Sequence, residues 1–302
     1  MNIFGRIEAA VNGVLAAARR RSKAYSHLAD AIVHYNDLLA GRLAAAIAYY
    51  GFFAVFALAL VGYWVFGAIL GGNSQASAAA GRFLNQNLPF LNTQQIQESS
   101  GRVGIVGLII LVLTGIRWVD TIRSSQRALY DLPQQPGNTL IRRLLDLGVL
   151  LLVFALLAVS VAAVDALRSL LEWLLSSTGS VGLSIISWVL SLLVNMVLAA
   201  ALLTLVPRVR LSRRRLRPAL LTVAVGITVL NTVGRFYVVS TERNPAYTVV
   251  GTAVGLLVYL YLLNQLLLFG AALAATSRHG RIADLTDRSP AGRAATQQTS
   301  ED

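Results

Sequence analysis

Arginine falls in blocks along this chain, and the blocks alternate with long stretches that carry no charge. Six uncharged apolar runs stand out: Leu43–Leu70, Val103–Ile116, Leu147–Val164, Val181–Val206, Ala219–Gly234 and Thr248–Thr276. A helix rises ~1.5 Å per residue, so roughly 20 apolar residues cross a ~30 Å hydrocarbon core. Four of the runs have 18 residues or more. The two shorter ones approach that length if Trp118–Val119 and Phe236–Val239 are added, with Arg117 and Arg235 carried at the membrane boundary. Hydrophobic residues make up 56% of the chain and charged residues 13%, against about 25% charged in a soluble domain. An integral membrane protein is the class this implies.

The charges orient the runs. Of 26 Lys and Arg residues, 21 lie in four segments. Arg6, Arg19–Arg21, Lys23 and Arg42 precede the first run, and Arg117, Arg123, Arg127, Arg142 and Arg143 lie between the second and third. Arg208, Arg210, Arg213–Arg215 and Arg217 lie between the fourth and fifth, and Arg278, Arg281, Arg288 and Arg293 follow the sixth. Lys- and Arg-rich loops stay in the cytoplasm. The chain is therefore expected to be an all-α, polytopic membrane protein with six transmembrane helices and both termini cytoplasmic. Arg outnumbers Lys 25 to 1, which suggests a GC-rich bacterial source and hence the inner (plasma) membrane.

The net charge of +12 is accounted for by this bias, so no nucleic-acid partner is expected. The basic loops are placed to meet anionic lipid headgroups. With no cysteine, disulfides, thiolate catalysis and Cys-ligated metals are excluded. The first membrane helix is expected to act as an uncleaved insertion signal, because the weak stretch Ala9–Ala18 precedes its basic cluster instead of following it.

Residues 1–42 read as an amphipathic segment in the cytoplasmic interface, residues 43–276 as the six-helix domain, and residues 277–302 as a disordered cytoplasmic tail. The segment 71–102 is the one long outer loop. Gly67 and Gly71, and Gly251 and Gly255, stand one helical turn apart and allow close helix approach, within the bundle or in a homo-oligomer. No convincing internal repeat is visible.

Polar groups inside the runs are the candidate functional residues. Asn195, Asn231 and Asn264 each lie ~16–18 Å from the inner end of their helices by helical rise, with Gln265 beside the last. One reading is a polar layer along a substrate path; the other is interhelical hydrogen bonding. Arg117 and Asp120 are three residues apart where the second run ends, so they either pair in a cytoplasm-facing vestibule or snorkel. Arg235 occupies the corresponding place near the outer end of the fifth helix, where it contacts an anionic group or snorkels. His27, His34 and His279 all lie outside the runs. No catalytic triad, metal-ligand set or phosphate-binding loop can be assembled, so neither an enzyme nor a cofactor is expected.

Several segments carry a family resemblance. Arg42-Leu-Ala-Ala-Ala-Ile-Ala-Tyr-Tyr50, Arg127-Ala-Leu-Tyr-Asp-Leu-Pro133 with Arg142-Arg143, Leu205-Val-Pro207 with Arg208–Pro218, and Tyr247 through Tyr261 to Gly270-Ala271 together resemble the YihY/virulence factor BrkB family of bacterial inner-membrane proteins. The resemblance covers residues 30–276 and implies six transmembrane helices without a settled activity. Ala57 stands where members commonly have proline, and Ala272 where they commonly have glutamate. Some members have carried a ribonuclease BN label; no residues here support it. The resemblance and the residues together lead to a transporter-like protein that moves a lipid or small solute without its own nucleotide hydrolysis, or alternatively to a scaffold for envelope proteins. Reporter fusions after residue 20 and after residue 290 should both report the cytoplasm, and one near residue 85 the opposite side; termini on opposite sides would overturn the topology.

Overall fold

A computed structural model describes residues 22–70, 100–152, 155, 180–241, 248–278 and 280–286. Helix α1 spans Lys23–Asp37, α2 Ala40–Leu70 and α3 Ser100–Leu129; residues 139–152 begin α4. Helix α5 spans Ser180–Thr204, α6 Arg213–Thr241 and α7 Thr248–Thr276. Two three-residue strands, β1 (Val209–Leu211) and β2 (Ile282–Asp284), pair antiparallel, with Val209 opposite Asp284 and Leu211 opposite Ile282. The all-α expectation thus misses one small sheet. The tail expected to lack order from residue 277 supplies β2.

Among the described residues four helices are long and apolar enough to cross a membrane: Ala40–Leu58, Ile105–Leu129, Arg213–Gly234 and Ala253–Thr276. Leu192–Thr204 in α5 is a shorter apolar stretch. Much of the third run, Leu147–Val164, lies outside the described residues, as do the outer loop from residue 71 to 99 and the first 21 residues.

The helices turn inside out the pattern of a soluble bundle. Leu221, Val225, Val229 and Val233 recur every four residues along α6 and all are exposed. Ile105, Leu108, Ile109 and Leu113 do the same on α3. In water such stripes would aggregate; against lipid tails they cost nothing. The buried positions are small: Ala40, Ala44, Ala48, Ala54 and Ala57 in α2, Ala219 and Ala224 in α6, and Ala271, Ala272 and Ala274 in α7. Lipid offers no hydrophobic drive for helix association, so close van der Waals packing of small residues supplies it. Helix α2 packs on α3, α6 on α5 and α7, and α7 on α2 and α1. Thr114, Thr121, Thr204, Thr222, Thr228, Thr232 and Thr276 each donate to the carbonyl four residues back, which satisfies a hydroxyl within its own helix.

The α6–α7 seam depends on two glycines. A Cβ at Gly270 would meet Val223 Cγ2 at 2.3 Å, and one at Gly226 would meet Leu266 Cδ2 at 2.8 Å. Each helix therefore seats a side chain in the other's glycine notch. Gly270→Ala should lower stability by about 1–3 kcal/mol through overpacking, and adding Val223→Ala should recover much of it. Thermal unfolding in detergent checks both; independent, additive losses would refute the notch.

Candidate functional site: a buried ionic cluster at one end of the bundle

Helix α3 ends in a left-handed cap. Asp131 has φ 55°, the Leu132 N–H reaches the Arg127 carbonyl at 2.9 Å and the Asp131 N–H reaches that of Ala128 at 3.2 Å. This is a Schellman-type stop with a non-glycine residue, followed by Pro133. It fixes the end of α3, in whose last two turns Arg123, Gln126 and Arg127 are fully buried.

Arg127 is held on every side. Its Nε donates to the Pro133 carbonyl at 2.6 Å and Nη1 to that of Pro207 at 3.0 Å. Nη1 and Nη2 grip both carboxylate oxygens of Asp284 on β2, at 3.1 and 2.5 Å. Arg123 bonds Asp120 one turn back, and its Nε lies 3.1 Å from Asp146 at the start of α4. Arg208, after α5, meets Asp146 at 2.6 Å. Its own backbone is left-handed, with φ 57°, a conformation costly for a non-glycine residue and here fixed by the turn and the ion pair. Asp120, Arg123, Asp146 and Arg208 thus form one chain of ion pairs, and Arg127 with Asp284 a second group, each without net charge. Buried ions demand such pairing, since an isolated charge in low dielectric is prohibitive.

The same end gathers further polar caps. His27 and His34, on α1, donate from Nε2 to the carbonyls of Leu273 and Leu129, each at 2.8 Å. Arg215 donates to the carbonyls of Ala274, Ala275 and Gly280. The last carbonyls of α3 and α7, which have no partner within their helices, are met by these donors. The described parts of all four arginine-rich segments therefore meet at one end: α1, the α3–α4 connection, the α5–α6 connection and the chain after α7.

Burial alone would raise the Asp284 carboxyl, but hydrogen bonds from Arg127 and Thr286 outweigh it and hold it below its ordinary value. At Asp146 burial prevails and pushes the carboxyl up against the pull of Arg123 and Arg208. Burial likewise lowers Arg208.

Asp120 pairs with Arg123, and Arg117 is exposed. Of the two readings offered for Arg117 and Asp120, the pairing with each other is not seen: both spacings are three residues, but only Arg123 turns inward. Asn195 donates to Thr228 Oγ1 across α5 and α6 at 3.1 Å, and Asn231 accepts from the Tyr259 hydroxyl across α6 and α7 at 2.6 Å. Asn264 donates to the Leu260 carbonyl within α7 at 2.7 Å. Each asparagine thus has its own partner, and no hydrogen bond joins one to another. Gln265 is half-buried, and Arg235 lies on α6 with its side chain outside the described residues.

Sequence reasoning missed Gln126, Asp146 and Asp284. Gln126 has neither amide atom hydrogen-bonded, and Arg123 Nη1 is also without a bond. Native interiors hold few orphaned polar atoms of this kind.

A family model described as virulence factor BrkB matches residues 31–295. The chain belongs to that family. Inner membrane protein YhjD of Escherichia coli (strain K12) is 24% identical over 86% of this chain and 83% of its own length. A Dickeya dadantii (strain 3937) protein is 26% identical over 85% of each. No solved structure matches.

In this BrkB-family chain Arg127→Gln should cost about 3–5 kcal/mol, because it strands a buried partner. Asp284→Asn should also destabilise at neutral pH. Its penalty should shrink as pH falls below about 4, since a depressed carboxyl contributes stability above its unfolded value and loses it as it protonates. Unfolding midpoints of the two proteins against pH check this; a pH-independent difference would refute it.

Proposed function

We propose that this chain is an integral inner-membrane protein with six transmembrane helices and cytoplasmic ends, and that it moves a lipid or small solute across the membrane without nucleotide chemistry of its own. The direction of each element supports the helix count. Helices α2, α4 and α6 leave the ionic end, and α3, α5 and α7 return to it, so three out-and-back pairs account for the six runs.

One observation supports the functional reading: a charged cluster with unsatisfied polar atoms is buried where the ends of the apolar helices converge. Stability alone does not call for it, since replacing buried ion pairs with well-packed apolar groups is often neutral or stabilising. Asp120, Arg123 and Gln126 would meet the substrate at the cytoplasmic mouth. Asn195, Asn231, Asn264 and Gln265 would line the path beyond, with Arg117 and Arg235 at its two ends. Anionic headgroups would gather at the arginine-rich end, and Gly251 and Gly255 on α7 would be candidates for a homo-oligomer contact. Neither an enzymatic step nor a nucleic-acid partner is part of this reading. A scaffold for envelope proteins is the second reading, favoured by the Asn195–Thr228 and Asn231–Tyr259 bonds, which serve packing.

Gln126→Leu tests the proposed path. Removing an unsatisfied buried amide should leave stability unchanged or raise it by about 1–3 kcal/mol. Translocation should nevertheless fall. The measurement is dithionite accessibility of headgroup-labelled phosphatidylglycerol, together with uptake of small solutes, in proteoliposomes. No translocation by the wild type would favour the scaffold; full translocation by Gln126→Leu would take Gln126 out of the path.

A further inference from the structure

We propose that Arg127 heads an anion-binding site that takes phosphate-class ligands, and that the chain after α7 occupies this site as an intramolecular competitor through Asp284. The contact has the form of a ligand contact. Two guanidinium nitrogens face two carboxylate oxygens of Asp284, the bidentate geometry by which arginine recognises carboxylate and phosphate alike. Thr286 adds a hydroxyl within 3.4 Å of Nη2. The remaining guanidinium bonds go to the Pro133 and Pro207 carbonyls. These orient the fork without neutralising it. Among the described residues Asp284 is the one carboxylate paired with Arg127, and it arrives from 157 residues away in sequence.

The strap that delivers Asp284 is short. It is held by three residues of a two-stranded sheet with Ala283 buried, by a bond from the Leu285 N–H to the Arg208 carbonyl at 3.1 Å, and by Arg215 on the Gly280 carbonyl at 3.1 Å. A two-stranded pairing is marginal by itself, and the helices pack on one another without it, so the strap can leave while they stay. If it leaves, Arg127 is a buried cation without a counter-ion, which low dielectric strongly disfavours. The arginines nearby add no competing carboxylate, because Asp146 is already shared between Arg123 and Arg208. An incoming phosphate, from a lipid headgroup or free in the cytoplasm, satisfies the same fork. Binding is measured without transport, so failure here leaves the translocation reading standing, and the reverse.

The test uses the full chain in dodecyl maltoside, which carries no phosphate. Two probes are titrated separately: inorganic phosphate and dioctanoyl phosphatidylglycerol, with dioctanoylglycerol as the uncharged control. If the strap is docked at least nine-tenths of the time, removing its charge should raise apparent affinity at least about tenfold. Asp284→Asn should show that rise, and a chain ending at Arg278 should match it. Arg127→Gln with Asp284→Asn should abolish it. A gain with phosphate assigns a free anion, and a gain with phosphatidylglycerol alone assigns the headgroup. No gain with either probe, or a gain that survives loss of Arg127, overturns the proposal.

Discussion

A guanidinium buried at the edge of a hydrocarbon slab cannot be left without a counter-charge, and this requirement organises the cytoplasm-facing end proposed for the molecule. Arg123 and Arg127 stand one turn apart in the last two turns of α3. Their carboxylates come from α3 itself, from the start of α4 and from a strand after α7. Arg208 joins through the carboxylate that Arg123 already holds. Segments more than 150 residues apart are thereby fixed by electrostatics at the end of a bundle whose membrane-facing sides have only van der Waals forces to hold them.

That division of labour runs through the fold. Along the helices, alanines and glycines let backbones approach, and branched apolar side chains are left for lipid. At the ionic end, hydrogen bonds and ion pairs take over, and the helix termini are capped from other elements by His27, His34 and Arg215. The first arrangement tolerates gradual change. The second has few ways to be partly right, because each lost partner strands another buried group.

Much of this was legible in the sequence, for a simple reason. Lipid rejects arginine strongly enough that its distribution sets the apolar runs apart, and among the described residues four of them are helices long enough to cross a membrane, with the basic segments clustered at one end. The site was less legible. Arg117 and Arg123 both stand three residues from Asp120, and only the rotation of α3 against α4 decides which turns inward. Asp146 and Asp284 stand beside basic loops, and the scarcity of acids, 14 in the chain, was the available signal. Gln126 had none, since a glutamine near a helix end is ordinary until its neighbours bury it. The strand after α7 was hidden because three residues are too few for a period to emerge.

His27 and His34 stand seven residues apart on one helix, a separation of about 10.5 Å along its axis. One touches the end of α7 and the other the end of α3. Helix α1 therefore acts as a gauge block laid across two membrane-crossing rods. Any piston-like slip of one rod against the other by more than a fraction of a helical turn would pull an imidazole off its carbonyl. Rearrangements of this bundle are thus confined to tilting and splaying about that end, unless α1 first lets go.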